Sequence, residues 1–129
     1  AEAFDCVMDA YRLPRGDEKT NEARKQAIRT ATIGAAEAPL ATAEAAQSLL
    51  AQVEALSENC NANALTDLAS SAELAFTAAN IAAMNVRINL EYLVGDDVQS
   101  LTSSIDDILD DSRNMVVRIR LRVNERLGW

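Results

Sequence analysis

Apolar and small residues recur along this chain at intervals of three and four, the spacing that lines one face of an α-helix. Ala27, Ile28, Ala31, Ala35, Ala38, Ala45, Leu49, Val53 and Leu56 follow it and predict one long helical stretch. Asp17 stands where a capping side chain is needed, with Glu18 in the first turn. A shorter helix before it runs to about Tyr11 and stops in Leu13-Pro14-Arg15-Gly16. Proline there disfavours helix at the preceding residue and glycine permits a turn. Pro39 falls inside the long stretch, where it removes a backbone donor and clashes one turn back. A kink near Ala35, eased by Gly34, or two collinear helices are therefore expected.

Ser57-Glu58-Asn59-Cys60-Asn61-Ala62-Asn63 is rich in side chains that bond their own backbone, and reads as a connection ending in an Asn63 N-cap. The third helix carries Asp67, Ser71, Leu74, Ala78, Ile81, Asn85, Ile88 and Tyr92 on one face, apolar in the centre and polar towards the ends. Such a face suits a helix lining a cleft at its ends, and equally a helix whose ends reach solvent. Gly95 with Asp96 and Asp97 opens the last helix, acidic through Asp111 and basic from Arg113 to Arg126, an order that suits the helix macrodipole. Val117 to Val123 alternates like a strand, but no second segment exists to pair with it, so helix is expected.

The fold class is therefore all-α: a bundle of about four long antiparallel helices, the second kinked near Pro39, in one domain spanning 1–129. Some 40 residues of helix would reach roughly 60 Å at ~1.5 Å each, longer than a compact domain of this size shelters. A partner chain is expected to cover the remainder.

Composition sharpens this picture. Of the 129 residues, 24 are alanine, the last being Ala83, and aromatics make up only 4%. The core must then be built from small aliphatic groups on closely approaching helices. A net charge of −8 disfavours a nucleic-acid partner, which would call for clustered Lys and Arg. No apolar run approaches the ~20 residues of a membrane span, and no signal-peptide pattern opens the chain, which points to a cytoplasmic location. With no histidine, the usual mixed-ligand zinc sites cannot be assembled; Cys6 and Cys60 are expected to be buried free thiols, and no metal is expected. Proton transfer near neutral pH would fall to carboxylates, tyrosine, lysine, cysteine or water.

Three stretches in order carry a more specific signal: Ala1-Glu2-Ala3-Phe4-Asp5 through Tyr11-Arg12-Leu13-Pro14-Arg15, then Asn61-Ala62-Asn63-Ala64-Leu65-Thr66-Asp67, then Asn85-Val86-Arg87-Ile88-Asn89-Leu90. In content and spacing they resemble the cyclodeaminase/cyclohydrolase family of one-carbon folate enzymes, across nearly the whole chain. The resemblance implies a helical homodimer and a tetrahydrofolate derivative as substrate: either a formimino form, cyclised with loss of ammonia, or a methenyl form, opened by water. Members of that family usually begin with a further helical segment and a glycine-rich loop, so the chain looks like the family's C-terminal portion. A non-catalytic helical dimerisation module, or an inactive remnant, is the alternative.

Both reactions pass a cationic carbon through a tetrahedral adduct, and so need an anion near the amidinium and a proton shuttle. Asp67 is the first candidate for both roles, against a plain helix-start acid. Asp5, one turn from Asp9, could form an acid pair or a solvated face. Asn61, Asn63 and Thr66 could bind substrate or position water, although capping explains Asn63 equally well. Asn85 and Asn89 could read the pterin edge or bond a neighbouring subunit. Arg87 could meet the glutamate tail of folate or form a surface ion pair. The C-terminal arginines could also meet a polyglutamate tail, or answer acidic residues on neighbouring helices.

Overall fold

A computed structural model describes residues 2–129. Four helices account for most of them: α1 (Glu2–Arg12), α2 (Glu18–Asn59), α3 (Leu65–Leu90) and α4 (Asp96–Leu127), with a 3-10 turn at Ala62–Ala64. Among the described residues there is no strand, and the Val117–Val123 alternation lies inside α4.

Each helix begins and ends for local reasons. Asp17 caps α2 as expected: its carboxylate accepts from the Thr20 amide at 2.9 Å and the Thr20 hydroxyl at 2.6 Å. These hydrogen bonds hold its pKa below the usual carboxylate value. The preceding loop is tied by Asn21, which donates to the Gly16 carbonyl and accepts from the Gly16 amide. Arg24 closes the end of α1 from α2, donating to the carbonyls of Tyr11 and Leu13 and lying over the Tyr11 ring. Gly95 opens α4 at φ 135°, a conformation that side chains resist, and the Arg29–Asp97 ion pair lies close around it.

Helices α2, α3 and α4 form a three-helix bundle. Contacts between α2 and α3 pair Ala35 with Asn89, and those between α3 and α4 pair Arg87 with Asp106 and Glu73 with Arg120, so both neighbours run antiparallel. Helix α4 consequently lies parallel to α2, with Arg29–Asp97, Gln47–Asp111 and Glu54–Arg118 recurring along one seam. The core has two parts. Ala36, Ala43, Ala79, Ala83, Val86 and Ile105 lie in the one nearer the start of α2. Leu50, Val53, Leu65, Val116 and Ile119 fill the other. Ser112 of α4 is fully buried, and its hydroxyl has no partner among the described residues.

α2 continues through Pro39 as a single helix, so of the two expected outcomes the division into two collinear helices does not occur. Proline leaves the Ala35 carbonyl without its intrahelical donor, and the Asn89 amide of α3 reaches it at 3.4 Å. The buried stripe of α2 is Ala36, Ala43, Ala46, Leu50, Val53 and Ser57, whereas Ala38, Ala45, Leu49 and Leu56 of the sequence pattern face outward. Alanine on nearly every side gave the pattern no single face.

Candidate functional site

Folding divides the candidate residues into separate groups. Asn61, Asn63, Thr66 and Asp67 gather where α2 turns into α3, and all four are exposed. Asn61, not Asn63, supplies the cap here: its side-chain oxygen accepts from the Asn63 amide at 3.0 Å and starts the 3-10 turn that leads into α3. Leu65, fully buried, anchors the turn from below. Asp67 follows in the first turn of α3, with its carboxylate open to solvent and taking no hydrogen bond among the described residues.

Asn85, Arg87 and Asn89 sit at the other end of the same helix. Eighteen residues separate Asp67 from Asn85, roughly 27 Å at ~1.5 Å per residue. Eighteen residues are also five whole turns, so the two share one face of α3. The Asn85 amide donates to the Ile81 carbonyl at 3.0 Å, and its residue borders a shallow groove of about 260 Å³ with Pro39, Thr42, Ala78, Ile81 and Ala82. Asn89 spends its amide on Asn85 at 2.8 Å and on Ala35. Arg87 holds Asp106 at 2.6 Å, both about half exposed, which is the surface-pair alternative.

Asp5 is exposed on α1 and takes no hydrogen bond or ion pair among the described residues, while Asp9, one turn on, pairs with Arg12 at 2.9 Å. A groove of about 1000 Å³ runs between α1 and α2, with an apolar floor that includes Ala27, Ala31, Gly34 and Ala38. Cys6 and Asp9 line it, but Asp5 does not. Cys6 is exposed and Cys60 half-buried, both free, so the expectation of buried thiols fails for Cys6, which lines the open groove between α1 and α2. Among the described residues no group of three acidic or cysteine side chains could hold a metal ion.

The C-terminal arginines prove to be structural partners, as one of the two readings held. Arg118 grips Glu54 through two hydrogen bonds, and Arg120 grips Glu73 in the same way. These bonds, aided by the arginine charges, hold both glutamates below the usual carboxylate pKa. Arg122 donates to the Glu54 carbonyl and the Ser57 hydroxyl, and Arg126 to the carbonyls of Ser57 and Cys60. Sequence reasoning missed these last two roles. The available signal was the spacing of Arg118, Arg122 and Arg126 on one face of α4, together with an α2 whose last turn has no basic residue of its own.

A model of the family described as formiminotransferase-cyclodeaminase matches residues 1–105. The chain belongs to that family. It is also similar to a methenyltetrahydrofolate cyclohydrolase of Methylorubrum extorquens, 33% identical over 92 residues, which are 71% of this chain and 44% of the relative. The chain thus spans under half the length of the relative it matches. The formiminotransferase-cyclodeaminase match includes Asp5, Asn61, Asn63, Thr66, Asp67, Asn85, Arg87 and Asn89 and ends within α4, before the arginine series begins. No described helix is long and apolar enough to cross a membrane.

Proposed function

We propose that this chain is the helical body of a one-carbon tetrahydrofolate enzyme that opens the methenyl bridge by hydrolysis, acting as a homodimer. Its family membership carries the reading, and the similarity to a cyclohydrolase favours hydrolysis over ammonia release. In the proposed reaction water adds to the cationic methenyl carbon, and the adduct loses a proton. Its bond to one nitrogen then breaks as the hydroxyl proton passes to that nitrogen, leaving a formyl group on the other. Asp67 is the base that takes the proton from water, with its charge stabilising the amidinium beforehand. Asn61, Asn63 and Thr66 surround it with groups able to hold the pterin or the water. Asn85, Arg87 and Asn89 lie at the other end of α3, and Asp5 stands apart on α1. A two-fold, antiparallel pairing along α3 would bring one chain's Asp67 end towards its partner's Asn85 end.

Two observations support the dimer. The exposed face of α3 carries Leu74, Ile81, Met84 and Ile88, each more than half exposed. The accessible surface is 8093 Å² for a chain of 13.9 kDa. A compact monomer of this mass shows roughly 6,700 Å². The excess, roughly 1,400 Å² per chain, is what an obligate dimer buries on each side. Single polar replacements there, such as Ile81→Asp, should convert the protein to monomer in sedimentation. An unchanged sedimentation coefficient would place the interface elsewhere. Cytoplasmic location is part of the same proposal.

The test of activity is the methenyl-folate absorbance band. Loss of that band with methenyl substrate supports the hydrolase, and Asp67→Asn should slow it at least 100-fold while keeping the dimer. Growth of the band from a formimino substrate would instead establish the deaminase. Silence with both would overturn catalysis by this chain and favour the non-catalytic dimerisation module.

A further inference from the structure

We infer that Arg126 is a positioning residue for the Asn61–Asp67 segment, acting through the end of α2. This rests on the function proposed above, but the geometry stands apart from it. Carbonyls in the last turn of a helix lack intrahelical donors and carry the negative end of the macrodipole. In α2 that turn has no basic residue of its own, and the chain must then reverse through Asn61 into α3. Arg126, half-buried on α4, fills this need. Its Nη1 donates to the Ser57 carbonyl at 2.8 Å and its Nη2 to the Cys60 carbonyl at 2.6 Å, with Nη1 3.4 Å from the Cys60 thiol.

Its neighbours on the same face behave differently. Arg118 pairs with Glu54, and Arg122 approaches Glu58 at 3.4 Å, so each has a carboxylate partner. Arg126 has none among the described residues, and its fork is spent on backbone. The Cys60 carbonyl belongs to the peptide that enters Asn61, the residue whose side chain starts the turn to Asp67. A planar guanidinium with two bonds to carbonyls fixes the orientation of that peptide in a way a point charge does not. Arg126 lies beyond residues 1–105, the region matched to the family.

The experiment is amide hydrogen exchange of the full chain without substrate, comparing wild type with Arg126→Met and Arg126→Lys. In Arg126→Met the amides from Asn61 to Asp67 should exchange at least tenfold faster, while those of α2 around Ala36 and Ala43 stay as in wild type. Arg126→Lys should fall between and keeps a cation if the methionine variant fails to fold. Unchanged exchange at Asn61–Asp67, or an equal increase across the whole chain, would overturn the inference. With methenyl substrate, the variant should raise KM several-fold with a smaller change in kcat; an unchanged KM would also overturn it. Because exchange is read without substrate, a chain that turns over nothing would refute the proposed function and leave the clamp testable.

Discussion

Replacing Asn89 tests whether its main duty is to substrate or to the fold. Pro39 deprives the Ala35 carbonyl of its helical donor, and Asn89 supplies one at 3.4 Å while its other amide hydrogen serves Asn85 at 2.8 Å. Ala35 is half-buried, so losing that donor exposes the carbonyl to a partial desolvation cost of about 1 kcal/mol, the lower end for an orphaned acceptor given the long bond. For a chain of 129 residues this corresponds to a fall of ~4 °C in Tm. Replacing Pro39 by alanine restores a backbone N–H to Ala35 and makes the Asn89 donor redundant. A double-mutant cycle of Asn89→Ala and Pro39→Ala, followed by thermal and urea denaturation, should therefore show a coupling of about 1 kcal/mol. The helix-internal bond to Asn85 is lost in both backgrounds and cancels. Equal destabilisation by Asn89→Ala with and without Pro39 would refute the reasoning. A cost seen only in substrate KM would return Asn89 to the pterin.

Other perturbations address separate links. Gly95→Ala should cost about 2 kcal/mol in chemical denaturation: φ is 135°, and the new Cβ would lie 2.9 Å from both the Arg29 guanidinium and the Asp97 carboxylate; full stability in that variant would show that the α4 start relaxes freely. Ser112→Ala should leave stability unchanged or raise it by up to about 1 kcal/mol, because it removes a buried hydroxyl with no partner, and a clear loss of Tm would reveal a bonded water there. Glu54 and Glu73 are held below the usual carboxylate value of 4.5 by Arg118 and Arg120, so the folded state keeps them charged after the unfolded state has taken up protons. Their contribution is complete above that pH and fades as pH falls below it. The double variant Glu54→Gln/Glu73→Gln should flatten stability between about pH 5 and 3, by no more than about 1 kcal/mol per partly exposed pair; an unchanged acid limb would assign it to other carboxylates.

Much of the architecture could be read from residue order. Helix-forming alanines without strand partners dictate an all-α chain, and Leu13-Pro14-Arg15-Gly16 and Gly95 mark breaks because backbone dihedrals there are local properties. Asp17 caps α2 for the same local reason. The motif spacing likewise identified the family, since the residues that set it apart lie in the chain's own order.

Which face of each helix turns inward was not legible. On α3 the face of Asp67, Leu74, Ile81, Asn85 and Ile88 is mostly the exposed one, and the core is taken by Ala72, Ala75, Ala79, Ala82 and Val86. Alanine buries against a close neighbour as readily as it faces water, so periodicity fixes the helix but not its rotation. Candidate polar residues were likewise decided only by contact. Asn89 meets an orphan carbonyl 54 positions away, and Arg126 meets two carbonyls more than 60 positions away. Sequence alone determined the elements and the kinship, because propensity, capping and motif spacing act over a few residues. Tertiary structure decided the partners, because whether an amide or guanidinium serves a ligand or the backbone depends on what packing brings within about 3 Å of it.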